Sequence, residues 1–310
     1  MKDIYTGLFD AFAANAKTWY LPSLIGVGVF AFVVFPRVED VGVFGRIADE
    51  FTPGERLFLC AFVAMVIAIL ASALSQFIYR LFEGYFWPRF LGREARIRAH
   101  RNRRDRLRAS QSTAHLGLLA EKVRGYPVSD DSILPTRLGN ALRAAEDYGT
   151  DCYGLDVAIL WHRISAVAPE ELRLQVRAAR SSMDTWMSVI AVSVVFAGVS
   201  LYAESMDDRT GSIALMAGMA LALVALWYSL AVGAAQDYGQ SLRALVDIGR
   251  FPLAEALGLG IPLNRVEERK MWKALTNLAA WGVGLPKSTE WEAILDTNRV
   301  PMDEDGESNT

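Results

Sequence analysis

Cysteine is nearly absent: only Cys60 and Cys152 carry a thiol in 310 residues, one inside an apolar run and the other far along in a polar segment. With no CxxC pair there is neither a disulfide framework nor a zinc constellation, and both read as small apolar side chains. Histidine is almost as scarce. His100, His115 and His162 have no partners at metal-ligand spacing, so no metal is expected. The chain also lacks GxxxxGKS/T, a GxGxxG turn after a strand, HExxH and GxSxG, the patterns that cradle phosphate, bind zinc or present a nucleophile. No catalytic residue and no cofactor follow from the sequence. Charged residues are few, 22% against 52% hydrophobic, with a mean hydropathy of +0.20. That composition excludes a disordered or collagen-like chain. The net charge of -3 gives the chain as a whole no pull toward nucleic acid.

The shortage of charge is concentrated. Thr18 to Pro36, Leu57 to Tyr79, Thr185 to Ala203 and Gly211 to Gln236 contain no Asp, Glu, Lys or Arg over 19, 23, 19 and 26 residues. About 20 helical residues cross a hydrocarbon core of about 30 Å, so each stretch is long enough to span. Lipid offers the backbone no hydrogen-bond partner, which makes helix the expected form. Trp19, Tyr20, Tyr79, Trp186 and Tyr202 sit at the ends, where aromatic residues favour the headgroup layer. The first stretch is too long for a signal peptide and is read as a retained span. Before it, residues 1–17 form an amphipathic segment with Ile4, Leu8, Phe9, Phe12 and Ala16 on one stripe, expected to lie in the interface or to pack as a bundle helix.

Orientation follows from the positive residues of the connections. Residues 37–56 hold three arginines against five acids, and 204–210 hold Arg209 against three acids. Between Arg80 and Asp184 there are eighteen basic residues, ten of them in Arg80 to Arg108. The expected fold is therefore all-α and polytopic, with spans at 18–36, 57–79, 185–203 and 211–236. External loops are expected at 37–56 and 204–210, a cytoplasmic helical domain at 80–184, cytoplasmic C-terminal helices at 237–286, and both termini inside.

Beyond Tyr79 a helix is expected to run on with Pro88 as its one kink, carrying a basic juxtamembrane section over 89–124. Arg93, Arg96, Arg98, Arg101, Arg103, Arg104, Arg106 and Arg108 fall on all sides of it, so they are expected to stay exposed and touch anionic inner-leaflet lipid. An acidic partner, including the chain's own tail, is an alternative. Nucleic acid is disfavoured because no aromatic interleaving or groove-reading motif accompanies the arginines.

Helices are expected at 136–148, opened by Pro135, and at 156–164. Arg137, Asn140, Arg143, Glu146, Asp156 and His162 are the one set that gathers acid, base and donor types close in sequence. They read first as surface pairs and a helix cap, and second as a ligand pocket. "ILPTRLGNALRAAEDY", "YGLDVAILWHRI", "PEELRLQVRAARSSMD" and "DIGRFPLAEALGLGIP" resemble a group of uncharacterised bacterial four-span integral membrane proteins. The resemblance covers about the C-terminal two thirds and implies placement in a bacterial inner membrane, with no functional residue attached.

Pro169 and the acids after it open a stalk continuous with span three, and span four continues to Arg250. Asn264 and Glu267 are expected to cap a helix to Trp281. Residues 287–310, ending in "DEDGESNT", are acidic and expected to be disordered. Small residues recur at four-residue spacing as Ala64, Ala68 and Ser72 in span two, Ser193 and Ala197 in span three, and Ala214, Gly218 and Ala222 in span four. They read as helix packing within one subunit, or as an interface with a second copy in a homo-oligomer, that of span four above all. No ionisable group lies at membrane depth, which argues against an ion-coupled transporter. The leading expectation is a non-enzymatic signalling or scaffolding subunit that binds an unidentified cytoplasmic protein. The second is a homo-oligomeric channel gated by the cytoplasmic helices. The third is a membrane-bound enzyme using Arg137, Arg143, Asp156 and His162.

Overall fold

The computed structural model describes residues 16–39, 42–110, 116–205, 211–282 and 288–300. Among them every regular element is helical, apart from one antiparallel bridge between Leu259 and Arg299. Four helices are long and apolar enough to cross a membrane, so the chain is an all-α polytopic membrane protein. The chain divides into two compact units. Unit 1 comprises Met1–Phe82 and Arg180–Ala234, and unit 2 comprises Glu83–Ala179 and Ala235–Thr310.

In unit 1 the first span, α1 (Thr18–Val38), includes two stretches of wider i→i+5 turn, and the Phe35 amide bonds to the Phe30 carbonyl. The expected external loop is largely helical. It holds α2 (Gly42–Glu50), whose Phe44 meets the rings of Phe30 and Phe35. Span two starts earlier than expected, as α3 (Pro53–Ala73), because Thr52 and Glu55 close a capping box. The Glu55 carboxylate accepts from the Thr52 amide at 2.8 Å, and the Thr52 hydroxyl accepts from the Glu55 amide at 3.4 Å. The ladder breaks at Leu74 and resumes as α4 (Ser75–Glu83). Gly26 lets the first span approach the third: an added Cβ would stand 2.3 Å from Val192 Cγ1. The Ser188 hydroxyl donates to the Thr18 carbonyl at 2.6 Å, and Trp186 stacks on Trp227 at 5.8 Å. The Tyr79 hydroxyl donates to Asp184, which also pairs with Arg180 at 3.4 Å.

Unit 2 corrects the expectation of one long basic helix. The chain leaves α4 through Gly84 and turns again at Gly92. Both are left-handed, with φ of +93° and +74°, a region where a Cβ is strained. Only then do α5 (Arg93–Ala109) and α6 (Leu116–Arg124) follow. Helix α7 (Arg137–Tyr153) begins at Thr136, whose hydroxyl accepts from the Gly139 amide at 3.0 Å and donates to the Glu83 carbonyl at 2.7 Å. It runs past the expected end at Tyr148 to a Gly154 cap. Asp156 caps α8 (Val157–Val167) by accepting from the amides of Ala158 and Ile159. The third and fourth spans are the apolar parts of two very long helices, α9 (Glu170–Glu204) and α10 (Gly211–Ala256). The second runs through Pro252 and past the expected end at Arg250. Asn264 caps α11 (Arg265–Trp281) as expected, while the Glu267 carboxylate pairs with Lys270 at 2.9 Å.

The expected disordered tail is in part helix. α12 (Ser288–Thr297) places Trp291, Ile294 and Leu295 at i, i+3 and i+4, and they pack into the unit's core. Across the short bridge the Gly260 amide then donates to the Asn298 carbonyl and the Val300 amide to the Gly258 carbonyl. Residues 301–310, and the amphipathic segment over residues 1–15, lie outside the described residues. Leu138, Leu155, Leu160, Ile164, Leu245, Leu253, Met271 and Trp272 are fully buried in unit 2.

Among the described glycines of unit 2 the tightest is Gly139, where an added Cβ would stand 2.2 Å from the Glu83 carbonyl oxygen. Gly139→Ala is expected to lower stability by about 1–3 kcal/mol, as overpacking does. Gly117→Ala meets nothing within 4 Å and is expected to leave stability unchanged or slightly raised. Thermal unfolding of the two purified variants checks the contrast.

Candidate functional site

The basic helix α5 does not present all its arginines to the surroundings. Arg96, Arg98, Arg103 and Arg106 are exposed, and Arg93, Arg101 and Arg108 are half-buried. Arg104 is 3% exposed, so the expectation that it contacts lipid is corrected. A buried guanidinium needs its donors filled, and these are. Nε and Nη2 each donate to Asp105 Oδ1 at 3.0 Å, Nη1 donates to the carbonyls of Val128 at 3.2 Å and Pro127 at 3.4 Å, and Nη2 also bonds Asp130. Arg101 shares Asp130 at 3.5 Å. The hydrogen bond from Arg104 holds the Asp130 carboxyl below the usual aspartate range. Arg96 lies over the Trp87 ring at 4.6 Å.

The polar set read from α7 and α8 disperses into local roles. Asn140 is fully buried and staples the turn before its own helix: Oδ1 accepts from the Leu134 amide at 2.8 Å, and Nδ2 donates to the carbonyls of Leu134 and Thr136. Arg143 pairs with Glu146 at 3.7 Å and Asp147 at 3.3 Å. Asp156 is the α8 cap, while Arg137 and His162 are exposed. Among the small residues, Ala64, Ala68 and Ala197 are buried, and Ser72 and Ser193 partly so. In span four Ala217 is buried instead, and the expected stripe of Ala214, Gly218 and Ala222 is exposed.

What the sequence did not mark is a polar centre on Asp247 of α10. Its Oδ1 accepts from the Tyr148 hydroxyl at 2.9 Å and the Tyr153 hydroxyl at 2.8 Å. The two rings meet edge to face at 6.4 Å. Arg243, one turn earlier, lies over the Tyr148 ring at 5.5 Å, and Arg250, one turn later, over the Tyr153 ring at 4.3 Å. Arg250 continues to Glu268 at 3.0 Å, which also accepts from the Trp272 indole at 3.3 Å. The network joins α7, α10 and α11. Burial and the bond to Asp247 push the Tyr148 phenol well above its ordinary range, so it remains a donor.

Beside this centre opens a cavity of about 540 Å³, a size typical of small-molecule sites. Arg108, Arg124, Arg243, Tyr126, Asp151 and Cys152 contribute to its wall. Burial, together with the neighbouring Arg124, lowers the pKa of Arg243, and burial raises those of Asp151 and Cys152. A second cavity of about 430 Å³ lies in unit 1 between α1, α2 and α3 and is lined mainly by apolar side chains such as Phe30, Phe35 and Leu57. No group of three or more metal-ligating side chains occurs among the described residues.

Because Asp130 has a depressed pKa in the folded chain, its contribution is present above the unfolded value of about 3.9 and is lost as pH falls through the folded value. The unfolding midpoint of the natural chain is expected to exceed that of Asp130→Asn at neutral pH. The gap should close on acidification, and a gap that stayed constant would remove the Arg104 pairing as its cause. No protein-family model, curated protein or solved structure matches the chain.

Proposed function

We propose that the chain is a non-enzymatic signalling or scaffolding subunit of a bacterial inner membrane, with unit 2 in the cytoplasm as the part that binds a partner protein. The observation that carries this reading is the course of α9 and α10: each supplies a membrane span to unit 1 and a packed segment to unit 2 without a break. An unbroken hydrogen-bonded helix is stiff, so displacement of a span reaches the unit that continues it. The excess of arginine in α5 supports the orientation, since positive connections stay on the cytoplasmic side.

The exposed arginines Arg96, Arg98, Arg103 and Arg106 supply contacts to anionic headgroups, at about 1 kcal/mol each near the surface. A fluorophore at the exposed Asn102, in protein reconstituted into nanodiscs, tests this. Quenching by a headgroup-bound quencher is expected to be stronger in anionic than in zwitterionic lipid. Arg98→Glu with Arg103→Glu and Arg106→Glu should abolish the difference. Equal quenching in both lipids would remove the lipid role.

The exposed stripe in span four favours a second reading, a homo-oligomer that could form a gated pore. Gly218 has nothing within 4 Å of where a Cβ would be, so the helix is open to close approach by another copy. In a chain without Cys60 and Cys152, Gly218→Cys is expected to form disulfide-linked dimers in membranes. Monomer alone would overturn the assembly, and conductance of reconstituted oligomers separates channel from scaffold.

A further inference from the structure

We infer that the cavity beside Asp247 is a binding site for a small phosphate-bearing anion, held by Arg243, Arg124 and Arg108. The inference goes beyond the scaffold reading and holds whichever partner unit 2 binds. Three arginines line one cavity, and none of them forms an ion pair within 4 Å among the described residues. The other arginines around unit 2's polar networks, Arg101, Arg104, Arg143 and Arg250, each have a carboxylate.

Arg243 is fixed in place. Its Nη2 donates to the Arg124 carbonyl at 2.6 Å and to the Ala144 carbonyl at 3.4 Å, and its guanidinium rests on the Tyr148 ring. Those bonds orient the fork but neutralise nothing. The like charge of Arg124 adds to the cost of burial. Asp247 on the wall offsets part of this. Asp247 is engaged by two tyrosine hydroxyls, and burial and the nearby Asp147 raise the pKa of Asp151. A half-buried, pre-oriented guanidinium with further arginines on the same cavity wall suits a multivalent oxyanion, because a guanidinium fork can donate two parallel hydrogen bonds.

A phosphate monoester fits this better than a carboxylate. It brings about 1.5–2 negative charges at neutral pH and three acceptor oxygens for guanidinium donors. The cavity has room for more than the phosphate, and the Tyr126 and Tyr148 rings on its wall give the ester's organic portion a surface to lie on. The same monoester group is carried by soluble metabolites and by phosphatidic acid headgroups, and the two sources can be told apart by the probe.

The test uses the full chain purified in detergent, titrated by calorimetry with inorganic phosphate, adenosine monophosphate and dioctanoyl phosphatidic acid. At least one is expected to bind with micromolar to millimolar affinity. Adenosine monophosphate as the stronger ligand assigns the site to a soluble metabolite, and phosphatidic acid as the stronger assigns it to a lipid headgroup. Arg124→Gln, at an exposed position where folding is safe, should weaken binding by roughly tenfold, and Arg243→Gln by at least as much. Raised salt should weaken the natural chain and leave Arg124→Gln less affected. Absence of binding by all three probes, or undiminished affinity in Arg124→Gln at an unchanged unfolding midpoint, overturns the proposal. Neither result bears on whether unit 2 holds a protein partner.

Discussion

Hydrocarbon cannot hydrogen-bond a peptide group, and water can. This chain moves from one solvent to the other inside single helices. In α9 the charge-free stretch begins at Thr185, and in α10 it ends at Gln236, with one continuous helix through both points. A helix satisfies its amides equally well on either side, so the solvent boundary needs no structural joint. The devices that do end helices, at Thr52, Thr136, Asp156 and Asn264, all lie outside the charge-free stretches. There orphan amides have polar side chains within reach. After span two the chain leaves α4 through Gly84 and enters α5 through Gly92, both at positive φ.

Unit 2 holds the more polar parts of α9 and α10. Its core is apolar, from Leu160 and Ile164 of α8 through Leu245 and Leu253 of α10 to Met271 and Trp272 of α11. Apolar contact alone leaves the register of a helix loosely defined, whereas a charge that must find its partner defines it closely. Asp247 with its two tyrosines and Glu268 with Arg250 and the Trp272 indole sit at the edges of that core, where desolvation is partial and the ion pairs are also hydrogen-bonded. Removing one member would leave a half-buried charge, so these networks select one alignment of α10 against α7 and α11 more than they add to net stability.

What the sequence disclosed depended on whether the deciding signal is local. Spans were legible because absence of charge over about 20 residues is a property of one segment and excludes most alternatives. Their ends were less so. The Thr52 and Glu55 box moves the start of α3 to Pro53, although both residues are in plain view. The helix at 288–297 was hidden by averaging: its acids dominate the composition, yet Trp291, Ile294 and Leu295 are spaced to cover α11. Arg104 could not be separated from its neighbours because its partner Asp130 lies 26 residues on. The centre at Asp247 joins residues 94 and 99 positions apart, and no spacing rule connects them. Which face of span four packs within the chain was hidden for another reason. Ala217 and Gly218 are adjacent, and only the neighbouring helices decide which one faces inward.

Arg104 and Arg108 show how the structural and the ligand-facing parts of one basic helix are linked. They stand four residues apart and therefore on one face. Arg104 grips the segment at 127–130 through the carbonyls of Pro127 and Val128 and the carboxylate of Asp130. That segment follows directly on Tyr126, and both Tyr126 and Val128 line the cavity that Arg108 reaches. The buried arginine thus positions one wall of the cavity, and Arg108, one turn further on, lines it. The Tyr126 hydroxyl stands 3.4 Å from Nδ1 of His100, again on α5, so the same helix holds the wall at a second point. Burial and the adjoining Arg103 lower the pKa of His100.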